Sequence, residues 1–368
     1  MQDQQNDQPS VSLDIVRQEI DALDAQIVDL LKQRASWVHQ VGAIKKSENS
    51  PIFVPERETS LFNKLERLND GVLPEPALQA IYREIISCSF QLEGGLDIAY
   101  LGPQGTWSHQ AALKQFGKSC NLLPQQNFAD IFNLVERKKV NYGIVPIENS
   151  TEGSVNAVMD LFMTSPLKIC AQIHLNIRNA LLGNVKKEDI KIIYSHPQAL
   201  GQTRNWILKN LPEAELVETS STTKAALLAK ENAHLGAASM GCPLASELFG
   251  IDILEEDIQD SAVNTTRFAV IGYQDTVPSE GKNRTSLMIM IHHKPGSLST
   301  VINTFKNHGI DLVRIESRPS KIINWEYVFY IDTDGHHSQS PLKEAIAEIK
   351  EHCSVLKIIG SYAEVEAQ

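Results

Sequence analysis

No run of apolar residues in the sequence approaches the ~20 that a membrane-spanning helix requires, which argues against a membrane protein. The first ten residues have neither the basic start nor the apolar stretch of an export signal. They are rich in Gln, Asn and Asp, and residues 1–10 read as a disordered tail. Cysteine is scarce: the five, Cys88, Cys120, Cys170, Cys242 and Cys353, are scattered, odd in number and form no CxxC pair. That argues against a disulfide framework and a zinc site, and a cytoplasmic location is expected. Positive charge is also in deficit, with 34 Lys and Arg against 45 Asp and Glu and a net charge of -11. A general nucleic-acid surface is therefore not expected, and an anionic substrate must be met by local basic pockets.

What is present divides the chain into parts. At about 100–200 residues per domain, 368 residues imply two or three, and three fits best. Apolar residues from Leu13 to Ile44 recur at three- and four-residue steps, the pattern of one long amphipathic helix. A second helix starts near Pro55 and stops at Asn69-Asp70-Gly71, and a third runs from about Pro76 to Glu93 before Gly94-Gly95. Residues 11–95 are thus expected to be all-helical. Two shorter helices cannot cover a stripe ~45 Å long, so a partner chain is implied. Over residues 96–273 short apolar strands end in polar loops that lead into helices, an alternating α/β pattern. Residues 274–283, polar with Pro278 and Gly281, read as a linker. Residues 284–368 show the strand–helix–strand–strand–helix–strand order of an α+β ferredoxin-like module.

In the helical part, Arg34 falls on the apolar stripe between Leu30 and Trp37, and Lys45 lies almost three whole turns later on the same face. For either cation alone, an aliphatic stem lying on apolar surface with its charge in solvent explains the position equally well. Ser89 and Glu93 share a face of the third helix at i and i+4. Helix-start charge placement accounts for Glu56 and Glu58 in Val54-Pro55-Glu56-Arg57-Glu58, but not for Arg57. Through VRQEIDALD, the Arg34 region, VGAIKK and PERE, residues 11–93 resemble the all-helical class of chorismate mutases. The resemblance implies that chorismate is bound by Arg17, Arg34, Arg57, Glu58 and Ser89, while Lys45 and Glu93 meet the breaking ether oxygen. A carboxylate cannot donate a hydrogen bond, so Glu93 can assist that oxygen only when protonated. Arg17 and Arg34 lie ~25 Å apart along one helix and on different faces, so they cannot grip one small molecule. If Arg17 binds substrate it serves a second protomer's site, as in the intertwined homodimers of the resembling family.

Polar clusters in the α/β part follow strands and precede helices: Gly102-Pro103-Gln104-Gly105-Thr106, Glu148-Asn149-Ser150, Ser195-His196-Pro197-Gln198 and Ser220-Ser221-Thr222. Open α/β sheets bind ligands at such ends, where unpaired N–H groups can hold carboxylates, although any single loop is as well explained as a helix cap. No Lys follows the first loop's glycines and no GxGxxG occurs, so no nucleotide cofactor is expected. Through YLGPQGTWSH, GIVPIENSTEGSV, YSHPQALGQ and TTRF, residues 97–273 resemble prephenate dehydratases. That implies a two-lobed α/β domain, like periplasmic binding proteins, converting prephenate to phenylpyruvate, CO2 and water. Thr266 is then catalytic, Asn149, Ser195 and Gln202 bind prephenate, and Glu148 and Arg267 join them. His196 could equally be a general acid or part of the loop's scaffold.

In the last part, His292-His293 and His336-His337 lack a spacing that requires a metal, and no metal or cofactor is expected. Lys294-Pro295-Gly296-Ser297-Leu298 and Glu316-Ser317-Arg318-Pro319 resemble the ACT domain attached to prephenate dehydratases. The resemblance implies L-phenylalanine as effector, held by Gly296, Ser297, Leu298 and Ser299 and by Glu316, Ser317, Arg318 and Pro319. The expectation is a bifunctional enzyme of phenylalanine biosynthesis, a homodimer or higher homo-oligomer. Its rivals are a dehydratase whose helical part only dimerises or regulates, and a non-catalytic amino-acid sensor.

Overall fold

A computed structural model describes residues 12–292, 294–320 and 326–364. The expected tail, residues 1–10, and His293 lie outside the described residues. Three helices come first: α1 (Leu13–Glu48), α2 (Pro55–Asn69) and α3 (Glu75–Glu93). Ser12 caps α1, its hydroxyl accepting from Ile15 N, and Pro55 starts α2 where no N–H partner is needed. The C-terminal half of α1 crosses α3 at Gly42, where an added Cβ would stand 2.9 Å from Glu93 Cα. Its N-terminal half is uncovered, with Leu13, Val16, Ile20, Leu23, Ile27 and Leu30 exposed to 41–63%.

The first lobe of the α/β part runs β1 (Asp97–Leu101), α4 (Trp107–Phe116), β2 (Asn121–Gln125), α5 (Phe128–Glu136), β3 (Tyr142–Asn149), β4 (Gly153–Ser154), α6 (Asn156–Thr164) and β5 (Lys168–Asn176). The second follows as β6 (Ala180–Leu182), β7 (Ile192–Ser195), α7 (Pro197–Gln202), α8 (Arg204–Asn210), β8 (Glu215–Glu218), α9 (Thr222–Glu231), β9 (Ala237–Gly241), α10 (Leu244–Phe249) and β10 (Ile253–Glu255). The chain then returns to the first lobe as β11 (Thr265–Gly272), which inserts antiparallel between β3 and β5. The sheets are ordered β2-β1-β3-β11-β5 and β10-β6-β9-β7-β8. The two crossings run side by side, Ile177 N donating to Asn264 O at 2.7 Å and Ile258 N to Asn179 O at 3.0 Å. Thr266 sits one residue inside the returning strand, at this hinge.

The final module is β12 (Asn283–Ile291), α11 (Ser297–Asn307), β13 (Leu312–Pro319), β14 (Tyr327–Asp334), α12 (Leu342–Lys350) and β15 (Cys353–Ala363), with sheet order β13-β14-β12-β15. Its helices cover one face of its own sheet over Leu287, Ile289, Val301, Phe305 and Ile349. The other face joins the first lobe's core, Met288, Tyr330 and Tyr362 packing with Phe132, Phe162 and Ile271. The opposite face of the lobe's sheet packs on the helical part: Phe53, Ile86 and Phe90 share a core with Phe116 and Tyr142. The first lobe is thus the middle layer of the molecule.

Candidate active sites

The helical part brings four of the expected residues together. Lys45 Nζ donates to Glu93 Oε2 and to Ile52 O, both at 2.7 Å, and the Glu93 side chain is only 9% exposed. One turn towards the start of α3, Arg34 Nη1 donates to the buried Ser89 Oγ at 2.5 Å, and Ser89 in turn donates to Ile85 O at 2.7 Å. Both cations therefore end on polar groups of α3, so the alternative of charges lying in bulk solvent does not apply. Towards Lys45, Glu93 acts as an acceptor. Arg57 and Glu58 do not join this cluster. Arg57 is exposed, and Glu58 Oε2 accepts from Arg83 Nη1 at 2.9 Å and from Gln115 Nε2 at 3.2 Å, because α2 packs against the first lobe. Burial raises the Glu58 carboxyl above its ordinary value although Arg83 opposes it. Arg17 is exposed on the uncovered half of α1.

Between the α/β lobes lies a cleft of about 430 Å³, walled by Trp107, Phe128, Asn149, Gln198, Gln202, Thr266 and Phe268 among others. Thr106, Ser220, Ser221 and Thr222 also line it, so three of the polar strand-end loops converge there with the fourth, from Glu148-Asn149-Ser150. Asn149 organises the floor. Its Nδ2 donates to Thr266 Oγ1 at 2.9 Å and to Asn264 Oδ1 at 2.8 Å, while its Oδ1 accepts from the N–H groups of Thr151 and Glu152 at 2.9 and 3.1 Å. Because Thr266 accepts this bond, its own proton is left to donate elsewhere. Glu152 spans the cleft, accepting from Gln198 Nε2 at 2.7 Å and Gln202 Nε2 at 3.2 Å on the other lobe. His196 lines the cleft and caps α7, its Nδ1 accepting from Gln198 N at 3.3 Å, which is the scaffold role.

Three expected prephenate ligands lie elsewhere. Ser195 is fully buried and donates to Met240 O at 2.7 Å, tying β7 to β9 behind the cleft wall. Glu148 and Arg267 precede and follow the cleft residues Asn149 and Thr266 and point to the opposite face of the sheet. There Arg267 Nη2 meets Asp332 Oδ2 at 2.7 Å and Glu148 Oε2 at 3.1 Å, and Arg314 Nε meets Glu148 Oε1 at 3.3 Å. Burial alone would push the Asp332 carboxyl up, but Arg267 and the Ser286 hydroxyl outweigh it and hold it below the ordinary carboxylate range. Arg314 also pairs with Glu316, and both touch Ser154 of β4. Arg318 pairs with Asp160 at 3.0 Å and donates to Asn156 O at 2.7 Å. Ser317 and Pro319 face outward. Since β12 and β13 are both antiparallel to β14, they run the same way, and Glu316–Pro319 shares one end of the sheet with the loop before α11. Gly296 stands there at φ 85°, a left-handed conformation suited to glycine, followed by half-buried Ser297 and Leu298 and exposed Ser299.

A helical unit with cations on polar partners, a hinged cleft lined by amides and hydroxyls, and a ferredoxin-like module packed behind it define a multidomain enzyme of small-molecule metabolism. The family model for chorismate mutase type II matches residues 16–94, that for prephenate dehydratase residues 98–276, and that for the ACT domain residues 285–351. A bifunctional chorismate mutase/prephenate dehydratase of Aquifex aeolicus is 43% identical over 94% of this chain and 96% of its own. The prephenate dehydratase of Arthrobacter aurescens, solved in complex with L-Phe, superposes with a TM-score of 0.68 at 32% identity, over 74% of this chain and 92% of that one. The Staphylococcus aureus prephenate dehydratase gives 0.65 at 31%, over 73% of this chain and 100% of that one. The chain belongs to the bifunctional chorismate mutase/prephenate dehydratase family. Among the described residues, no helix is long and apolar enough to cross a membrane.

Proposed function

We propose that this chain converts chorismate to prephenate in its helical part and prephenate to phenylpyruvate, CO2 and water in the cleft, under control by phenylalanine. The observation that carries the reading is the Asn149–Thr266 pair at 2.9 Å on the cleft floor, which leaves a hydroxyl proton to give. Loss of the ring carboxylate as CO2 sends its electron pair through the ring and expels the ring hydroxyl as hydroxide. Aromatisation drives this step, so the protein need only deliver a proton to the leaving oxygen, which Thr266 can donate or relay. The amides of Asn149 and Gln202 fit the substrate's oxygens, and closure of the lobes excludes water.

In the helical part the mutase reaction needs a compact conformer and a charge-stabilised ether oxygen. Arg34 and Ser89 suit a carboxylate, and Lys45 suits the oxygen. The uncovered apolar stripe of α1 supports a homodimer in which Arg17 completes the partner's site. Regulation has a route: Glu316 and Arg314 of the ACT module join Glu148 and Arg267, the chain neighbours of Asn149 and Thr266. A cytoplasmic location agrees with the biosynthetic role that the relatives' names carry.

Purified protein given chorismate is expected to produce phenylpyruvate. The Thr266→Val variant is expected to stop at prephenate; accumulation of phenylpyruvate at the wild-type rate in that variant would remove Thr266 from the chemistry.

A further inference from the structure

The cleft presents an electrostatic puzzle. Its proposed substrate carries two carboxylates, yet among the described residues that line it there is no Lys or Arg, and the one acidic side chain is Glu152. A carboxylate of the same sign as the ligand should weaken binding. Glu152 is not idle, because its two oxygens take the side-chain N–H groups of Gln198 at 2.7 Å and Gln202 at 3.2 Å across the gap. Those amides are among the donors that the second lobe offers to a carboxylate, beside the hydroxyls of Ser220, Ser221 and Thr222. The Glu152 backbone is anchored separately, its N–H given to Asn149 Oδ1 at 3.1 Å. The side chain can therefore swing away without disturbing the Asn149–Thr266 pair.

We infer that Glu152 is a placeholder for substrate: its carboxylate holds the Gln198 and Gln202 amides across the cleft and is displaced when a carboxylate of the dianionic substrate takes them. This rests on the dehydratase reading above. Displacement precedes the chemical step and its cost is shared by ground state and transition state, so it weighs on binding and leaves turnover alone. Glu152 is thus a specificity-determining residue that sets how much anionic ligand the cleft demands before it fills.

The test compares dehydratase kinetics of the wild type, Glu152→Gln and Glu152→Ala with prephenate as substrate. KM is expected to fall about 3- to 10-fold in both variants with kcat within twofold of the wild type. In parallel, prephenate binding by calorimetry in a Thr266→Val background should tighten by a similar factor when Glu152→Gln is added. The mutase rate of each preparation reports folding. A KM at or above the wild-type value in either variant, or a loss of kcat with KM unchanged, overturns the placeholder role. A wild-type protein that makes no phenylpyruvate from prephenate would instead sink the dehydratase reading itself.

Discussion

At the scale of single residues, one peptide bond separates two fates. Thr266 faces the cleft while Arg267 is buried against Asp332, because successive side chains on a strand point to opposite faces. Thr266→Ser keeps the hydroxyl and should keep dehydratase activity within about tenfold, whereas Thr266→Val should lose ~10²–10⁴-fold, the range general acid–base groups supply. A stopped assay for phenylpyruvate separates these outcomes, and equal losses in both variants would assign Thr266 a packing role. The cleft residues Thr266, Asn149 and Gln202 came from the resemblance carried by TTRF, GIVPIENSTEGSV and YSHPQALGQ, whereas the polar strand-end loops around them can be read along the chain itself. Glu148 and Arg267, expected beside the substrate, lie outside the cleft because their direction depends on register. A bulge lets β11 skip Ile147 between Phe268–Pro146 and Arg267–Glu148, and no linear pattern announces it. Glu152 was missed because its meaning arises only when the second lobe brings Gln198 and Gln202 to it.

At the scale of elements, the helices were the most legible parts, with α1, α2 and α3 falling close to the boundaries read from apolar periodicity and from Pro and Gly signals. The short strands β4, β6 and β10 carried no such signal. β4 forms by pairing with β3, and β6 by pairing with β9 on one side and β10 on the other, so all three exist only in tertiary context. The crossing of α1 over α3 explains the glycine in VGAIKK. At Gly42 a methyl group would stand 2.9 Å from Glu93 Cα and 3.3 Å from Glu93 O, both backbone atoms that cannot swing aside. Gly42→Ala must part the helices where Lys45 meets Glu93, at a cost of about 1–3 kcal/mol for overpacking. Mutase activity should fall at least tenfold, since small misplacements of reacting groups are costly. The cleft lies on another element set, so dehydratase activity of the same preparation should hold; unchanged mutase turnover would show that the crossing tolerates separation. Acid should loosen the first lobe through β5. Burial, with Arg267, Arg284 and Lys114 adding repulsion, lowers the His174 imidazole to about 4. An unfolded histidine titrates near ~6.5, so the unfolded chain binds more protons below that and stability is lost as pH falls from ~6.5 towards 4. Melting temperatures measured across this range should decline, and less steeply in His174→Gln.

At the scale of the whole molecule, the first lobe is held on both faces, by the helical part over Phe53 and Phe90 and by the ACT sheet over Tyr330 and Tyr362. Tight apolar packing transmits displacement, but the ion network adds direction, because it ends on the strands that carry Asn149 and Thr266. Asp332 is the centre of that network, 4% exposed, bonded to Arg267 at 2.7 Å and Ser286 at 2.6 Å. Its carboxyl is held below the ordinary range, so the stability it contributes is whole above the unfolded value of ~3.9 and is lost as pH falls through the folded one. Asp332→Asn keeps the shape and removes the charge, leaving Arg267 with Glu148 at 3.1 Å. Breaking a buried pair costs up to about 3–5 kcal/mol, so the variant should melt well below the wild type while remaining folded near 20 °C. If phenylalanine acts through this network, the coupling it loses, of order 1–3 kcal/mol, should raise the concentration for half-inhibition of the dehydratase about 5- to 150-fold. Calorimetric binding of phenylalanine to the same variant should change far less, because Gly296 to Ser299 are untouched. A variant that binds phenylalanine and is inhibited as sharply as the wild type would show that the message travels through the apolar core instead.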